Sequence, residues 1–170
     1  MSDSTPTLVL ASVWIAVACM PAGLLLRLDR VRWVLWRGVW SLGAASFLVH
    51  TVSAYALVYG WSQAVALEET RRQTEAATGF DSGTGLYLNL LFAALWTFDG
   101  TRTWLQPRAV RGEVTGPSLM LHGFLTFMLM NGAFVFVVGP QRWFGFIVSI
   151  LVLSLWVLAW RRRRRKETAP

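Results

Sequence analysis

The side chains of this chain that could do chemistry are polar residues inside long apolar runs. They are His50, Asn89, Asp99, His122 and Asn131. An ionisable residue in an apolar segment is costly, so each indicates either a function or a paired structural role. Asp99 and His122 could act as an acid–base pair or a proton relay near neutral pH. The structural alternative is that Asp99 pairs with Arg102 or His122 and holds two helices together.

The rise of a helix sorts these residues into two layers. If the apolar runs are helices, Asp99 and His122 lie within roughly 6 to 9 Å of one end of their helices. His50, Asn89 and Asn131 lie roughly 18 to 24 Å from the same end. We therefore assign no catalytic residue, keep Asp99 and His122 as the candidates, and predict a polar binding layer in the outer three. In that layer His50 makes either an interhelical hydrogen bond or a contact to a ligand.

The sequence predicts no cofactor and no metal site. A haem held by two histidines needs both at one depth, whereas His50 and His122 differ by about 12 Å. Met120, Met128 and Met130 indicate either soft-metal handling or ordinary packing. Phosphate-binding glycine loops, nucleophile elbows and zinc-protease motifs do not occur in the sequence, so enzymatic activity is uncertain and less expected than its absence.

The elements that must position these residues are five apolar runs. Hydrophobic residues make up 55% of the 170 residues and are concentrated in these runs. Each run has about the length that crosses the hydrocarbon core of a bilayer. We predict an all-α fold and a single polytopic membrane domain, residues 1–170, of about five transmembrane helices. The predicted spans are residues 8–26, 38–60, 85–105, 118–139 and 143–160.

The loop between the second and third spans, residues 61–84, is polar and rich in helix formers. Glu68 with Arg72, and Arg71 with Glu75, have the i,i+4 spacing of helical ion pairs. Gly79 is a suitable helix C-cap because glycine adopts a left-handed conformation without strain. The loop therefore contains a short amphipathic helix on the outer side of the predicted membrane.

The distribution of cations predicts the orientation. Three of the 16 basic residues, Arg71, Arg72 and Arg142, lie on one side of the predicted membrane and the rest on the other. The positive-inside rule places the N-terminus outside and the C-terminus in the cytoplasm. Arginine outnumbers lysine strongly, as in bacteria with GC-rich genomes, so the predicted location is a bacterial inner membrane.

The net charge of +7 comes mostly from short loops and from the basic tail, residues 161–170. This placement favours contact with anionic lipid headgroups over nucleic acid. The candidate headgroup ligands are Arg161, Arg162, Arg163, Arg164 and Arg165. Ten tryptophans, among them Trp33, Trp36 and Trp40 near basic residues, are typical of a membrane interface.

Three functional hypotheses follow from these residues. The first is a non-enzymatic membrane protein, either a small-ligand binder or an accessory subunit of a membrane complex. The second is a membrane enzyme or proton-coupled carrier that uses Asp99 and His122. The third and weakest is a redox subunit associated with haem, quinone or copper. The expected partners are the lipid bilayer and either further copies of the chain or subunits of a membrane complex.

Overall fold

The computed structural model describes residues 6–27, 33–106, 116–135 and 141–167. These residues are 90% helical and contain no strands, which confirms the all-α prediction. The described part of the chain forms six helices, the fifth of which continues directly into a π-helix, Asn131–Val135. They are α1 (Thr7–Arg27), α2 (Trp33–Leu57), α3 (Gln63–Thr78), α4 (Gly85–Leu105), α5 (Gly116–Met130) and α6 (Gln141–Glu167).

Five of the helices contact one another in a closed ring. Helix α1 packs on α2, α2 on α4, and α4 on α5. Helix α6 then contacts both α5 with its π-helix and α1, which completes the ring. Helix α3 lies outside the ring and packs against α4. The ring gives the five helices a shared interior.

Helices α1, α2 and α4 approach closely at Gly43. A Cβ atom added to Gly43 would lie 2.6 Å from Cζ2 of Trp96 and 2.9 Å from Cβ of Cys19. Real Cβ atoms do not approach other atoms so closely, so this position accepts only glycine without a local shift. Farther along the same helix pair, a Cβ on Gly23 would lie 2.9 Å from the Trp40 ring, which shows that α1 and α2 run antiparallel.

The interior of the ring is aromatic. Trp36, Trp40 and Trp96 are at most 1% exposed. The ring centroids of Trp40 and Trp96 lie 5.5 Å apart, and those of Phe92 and Trp96 lie 5.3 Å apart. Trp36 and Trp40 therefore belong to the core, whereas their neighbouring cations had indicated a membrane interface. Packing of large aromatic surfaces inside the ring stabilises it more than exposure at an interface would.

Helix α3 occupies the polar loop where the sequence predicts a helix. The Ser62 side chain accepts a hydrogen bond from the Val65 backbone N–H at the first turn, and Gly79 ends the helix with a φ of 78°. Arg71 donates to Glu68 at 2.7 Å and to Asp81 at 2.6 Å. These contacts tie the helix to the turn that follows it.

The carboxylates of α3 are held by neighbouring guanidinium groups. The hydrogen bond from Arg71 lowers the pKa of Glu68 below its usual value. A hydrogen bond from Arg72 likewise lowers the pKa of Glu69. The Arg72 guanidinium donates to the carboxylate of Glu69, three residues before it, at 2.8 Å.

By length and composition, one helix among the described residues qualifies as a membrane span, Thr7–Leu26. A shorter apolar helix covers Gly145–Leu155. The interior of α4 carries Asp99 and Arg102, and α2 carries Arg37, which lowers the hydropathy of these two long helices. The prediction of five spans is therefore not confirmed by this criterion and remains a prediction.

Candidate functional site

A buried carboxylate, that of Asp99, lies where α2, α4 and α5 meet. The residue is 0% exposed. The Trp40 indole N–H donates a hydrogen bond to its Oδ2 atom at 3.0 Å, and the Arg102 guanidinium donates to Oδ1 at 3.0 Å. Nε2 of His122 lies 3.6 Å from Oδ2. The structure thus brings together Asp99 and His122, the two residues that sequence reasoning kept as catalytic candidates.

A hydrogen bond at Nδ1 of His122 defines which ring nitrogen carries a proton. Its Nδ1 atom lies 2.7 Å from the backbone carbonyl oxygen of Ser118, which can only accept, so Nδ1 carries a proton. The other ring nitrogen, Nε2, faces the Asp99 carboxylate. The ring also stacks on Trp40 with centroids 5.7 Å apart.

This cluster of Asp99, Trp40, Arg102 and His122, hereafter the Asp99 cluster, is closed to solutes. The side chains of Asp99 and His122 are 1% and 3% exposed, while that of Arg102 is 31% exposed. Both carboxylate oxygens already accept a hydrogen bond from a neighbouring side chain. The arrangement links three helices, and among the described residues its carboxylate and imidazole are enclosed.

A second set of contacts holds α2 and α4 in register beside the Asp99 cluster. The Arg37 guanidinium lies 4.2 Å from the centroid of the Trp104 ring and donates to the Thr103 carbonyl at 3.3 Å. The Trp104 indole N–H donates to Oγ of Ser41 at 2.8 Å. These contacts keep Trp40 on α2 opposite Asp99 on α4.

A cavity of about 50 Å³ lies among α1, α2, α4 and the junction of α5 with the π-helix. Among the described lining residues, Asn89 supplies the only polar side chain apart from the Trp96 indole. Asn89 on α4 and Gly132 on the π-helix are the exposed residues of this lining. The lining residues are Val13, Ala16, Val17, Phe47, Asn89, Phe92, Trp96, Met128, Leu129, Gly132 and Ala133.

The three residues of the predicted outer polar layer occupy different places around this cavity. Asn89 lines it, and Asn131 begins the π-helix next to the lining residue Gly132. His50 lies farther toward α1, where its Nδ1 atom is 2.9 Å from the Val9 carbonyl oxygen. Within the described residues no hydrogen bond joins His50, Asn89 and Asn131 to one another. The π-helix matters here because such segments widen a helix and often occur at functional sites.

The indole N–H of Trp96 is a buried donor that finds no acceptor among the described residues. Trp96 is 0% exposed, and its ring forms part of the cavity wall. Buried polar groups are nearly always paired, so this donor is an exception within the described part of the chain.

Other predicted contacts lie partly outside the described residues. The backbone of Arg161 to Arg165 continues α6 to Glu167, but the side chains of these arginines lie outside the described residues. Residues 136–139 of the predicted fourth span and residues 168–170 of the tail lie outside them as well. Within the described part of the chain, no group of three His, Cys, Asp or Glu residues could hold a metal ion.

The sequence analysis did not identify Trp40 and Trp96 as residues of the candidate site. Both are tryptophans in apolar segments, and tryptophan in such segments usually indicates packing or an interface. Their roles depend on which way each indole N–H faces across the ring of helices, and no spacing in the sequence reports that.

Comparison with known proteins assigns no family, since no family model, curated protein or solved structure matches the chain.

Proposed function

We propose that the chain is a multi-pass protein of a bacterial inner membrane that binds a small apolar ligand and is not an enzyme. The distribution of side chains supports the membrane part. Asp99 and His122 are buried, whereas large apolar side chains on the outer faces of α2 and α6 are between 46% and 62% exposed. These side chains are Leu35, Leu42, Val49, Val52, Ile147, Ile150, Leu153 and Val157.

This distribution, with ionisable side chains buried and large apolar side chains exposed, fits a bilayer better than water. Large contiguous apolar surfaces are rare on monomeric soluble proteins, and ionisable residues in membrane proteins face the interior of the bundle. Helices α2, α4 and α6 contain 25, 21 and 27 residues. At 1.5 Å per residue they are about 30 to 40 Å long, enough to cross the hydrocarbon core.

The orientation follows from the charged ends of the bundle. Arg37 near the start of α2 and Arg102 near the end of α4 lie at one end of this helix pair, where Arg37 donates to the Thr103 carbonyl, and α3 with its carboxylates connects the opposite ends of α2 and α4. We place the first end in the cytoplasm and α3 outside, by the positive-inside rule. The arginines at 161–165 then lie beside the anionic headgroups of the cytoplasmic leaflet.

The cavity among α1, α2, α4 and the π-helix is the observation that supports ligand binding. It lies within a ring of helices whose outer surface is apolar, so a lipophilic molecule can reach it from the bilayer. The Asp99 cluster supports a structural role instead, because both carboxylate oxygens are occupied and the group is enclosed. An accessory role in a larger complex would use the same outer surface for a partner subunit.

Native mass spectrometry of the protein released from a mild detergent tests this function. We expect a retained small-molecule mass in the wild-type protein. Gly132→Leu, at the cavity wall, should lose it, whereas Gly123→Leu on the same helix, also exposed and with open space around it, should keep it. A bare protein in every preparation would contradict ligand binding, and a co-purified protein partner would favour the accessory role.

Cysteine labelling tests the membrane arrangement. In a Cys19→Ala background, Ser82→Cys should react with a membrane-impermeant maleimide in intact spheroplasts. Ala169→Cys should react only after the membrane is opened. The reverse pattern would contradict the orientation, and recovery of the protein in the soluble fraction would contradict membrane insertion.

A proton-coupled carrier or membrane enzyme is the second candidate. The approach of His122 Nε2 to Asp99 at 3.6 Å favours it. In that case Asp99→Asn should abolish transport or activity while expression and thermal stability stay at the wild-type level. Loss of stability alone would support the structural role.

A further inference from the structure

Arg37, in the second turn of α2, carries a positive charge that forms no ion pair with the carboxylates of the described residues. The buried carboxylate of Asp99 is bonded to Arg102 instead. The Arg37 side chain is only partly exposed, and its buried Nε–H has no acceptor in the described part of the chain. Partial burial weakens the hydration of a cation and strengthens its attraction to an anion. An anion beside Arg37 would therefore be stabilised.

The guanidinium group of Arg37 is already held in place. Its central carbon lies 4.2 Å from the centroid of the Trp104 ring. Its Nη1 atom donates to the Thr103 carbonyl oxygen at 3.3 Å, and the Trp104 indole N–H donates to Oγ of Ser41 at 2.8 Å. The Nη2 atom makes no hydrogen bond within the described residues, so its two N–H donors can serve an added ligand. A side chain that is fixed beforehand loses little entropy on binding.

The surface around Arg37 distinguishes between possible anions. A guanidinium group matches the oxygen atoms of phosphates and carboxylates. Val34, three residues earlier on α2, and Leu105, next to Trp104 on α4, are 65% and 75% exposed. A small soluble anion would leave these apolar side chains uncovered, whereas a phospholipid brings a phosphate together with acyl chains that can cover them. The surface therefore fits a phospholipid better than a free anion.

The position of Arg37 along the bundle fits the headgroup region of a membrane. Helix α2 begins at Trp33, so Arg37 lies about 6 Å from the end of its helix. Trp104 lies at the last turn of α4 and is 47% exposed, as is typical of tryptophan at a membrane interface. In the proposed orientation this end of the bundle meets the cytoplasmic leaflet, whose surface is anionic.

From these observations we infer that Arg37, stacked on Trp104, binds the phosphate of one anionic phospholipid in the cytoplasmic leaflet. The acyl chains of this lipid lie on the exposed apolar side chains of α2 and α4. The inference rests on the proposed membrane location, but it uses neither the cavity nor the arginines at 161–165. It differs from general attraction to a basic tail because a single fixed side chain supplies the donors.

Native mass spectrometry with added lipid tests this site. The probes are phosphatidylglycerol and phosphatidylcholine with identical acyl chains, of which only the first has a net negative charge. A buffer of 0.5 M ammonium acetate reduces the Debye length to roughly 4 Å and so suppresses binding to exposed charges. We expect the wild-type protein to bind one phosphatidylglycerol about 10-fold more tightly than phosphatidylcholine, at the lower end for a hydrogen bond to a charged group.

Three variants separate the site from charge in general. Arg37→Gln should bind phosphatidylglycerol about 10-fold more weakly than the wild-type protein does. Arg37→Lys keeps the charge but lacks the planar fork, so its affinity should fall between these two. The matched control, Arg164→Gln, removes the same charge from the arginine run at 161–165 and should bind within about 2-fold of the wild-type protein, because salt screens exposed charges. Thermal unfolding of each variant checks that it is folded.

A second measurement uses the wild-type protein, so it decides the matter even if the Arg37 variants do not fold. The ¹H–¹⁵N signal of the Trp104 indole, assigned with Trp104→Phe, should shift when phosphatidylglycerol is added. Inorganic phosphate at the same concentration should leave it unshifted, and an equal shift with both would overturn the assignment to a lipid.

An unshifted Trp104 signal together with equal affinity of the wild-type protein for the two lipids would overturn the inference. Membrane insertion would then still stand on the cysteine labelling described above. Recovery of the protein in the soluble fraction would instead overturn the membrane location, and the lipid site with it.

Discussion

Replacing Asp99 by asparagine removes one charge and leaves the shape of the side chain almost unchanged. The wild-type carboxylate accepts from Trp40 and Arg102 at 3.0 Å each and lies 3.6 Å from His122. The amide of asparagine can accept from only one of the two donors, because its NH₂ group faces the other. The substitution therefore leaves a donor unpaired in the interior and removes the counter-charge of Arg102.

The expected loss of stability follows from the burial of these partners. Removing one member of a buried ion pair costs about 3 to 5 kcal/mol. Arg102 is 31% exposed and can turn to water, so the cost falls at the lower end, about 3 kcal/mol. For a chain of this size that lowers the melting temperature by about 6 to 12 °C.

Thermal unfolding in detergent, followed by tryptophan fluorescence, measures this change. The matched control is Asp81→Asn, whose carboxylate is 65% exposed and bonded to Arg71 on the surface. Surface pairs of this kind contribute at most about 1 kcal/mol, so the control should melt within about 3 °C of the wild-type protein. A melting temperature for Asp99→Asn equal to that of the control would refute the structural role of the Asp99 cluster.

Two further predictions concern other parts of the bundle. Gly43→Ala should destabilise the protein by about 1 to 3 kcal/mol, because its Cβ would meet Trp96 and Cys19. The control is Gly38→Ala on the same helix, where an added Cβ would meet nothing within 4 Å; it should be neutral or stabilising by up to about 1 kcal/mol. Chemical unfolding measures the stability of both variants. Equal stabilities would contradict the close approach at Gly43. Hydrogen bonds from Arg71 and Arg72 lower the pKa values of Glu68 and Glu69, so their stabilisation of α3 is present above the usual carboxyl pKa and is lost as the pH falls below it. Amide exchange of α3, corrected for intrinsic rates, should accelerate between pH 6 and pH 3, and unchanged protection would argue against these contacts in solution.

The helical class and one complete helix could be predicted from local sequence alone. Long apolar runs without strand alternation indicate helices. For α3, the run of helix formers from Ala64 to Thr78 and the glycine at 79 mark an interval within one residue of the observed Gln63–Thr78. Such signals are local, because a helix satisfies its backbone hydrogen bonds within four residues and its ends are defined by the residues next to them.

The grouping of Asp99 with His122 could also be anticipated, because depth along a helix depends only on the number of residues from its end. The partner Trp40 could not, since it contributes through the direction of its indole N–H across the ring. The same holds for the outer layer, where equal depth placed His50 with Asn89 although the structure turns His50 toward Val9.

The sequence by itself therefore determined which segments are helical, where α3 begins and ends to within a residue, and that Asp99 and His122 lie near each other. Only the tertiary structure decided that Trp36 and Trp40 are buried, that the Trp96 N–H has no acceptor among the described residues, and that a cavity lies beside the π-helix. The physical reason is that rotation about each helix axis, and the choice of neighbours in the ring, depend on how all five helices pack at once. That packing joins residues far apart in the chain, such as Trp40 with Asp99, through shapes that no local pattern records.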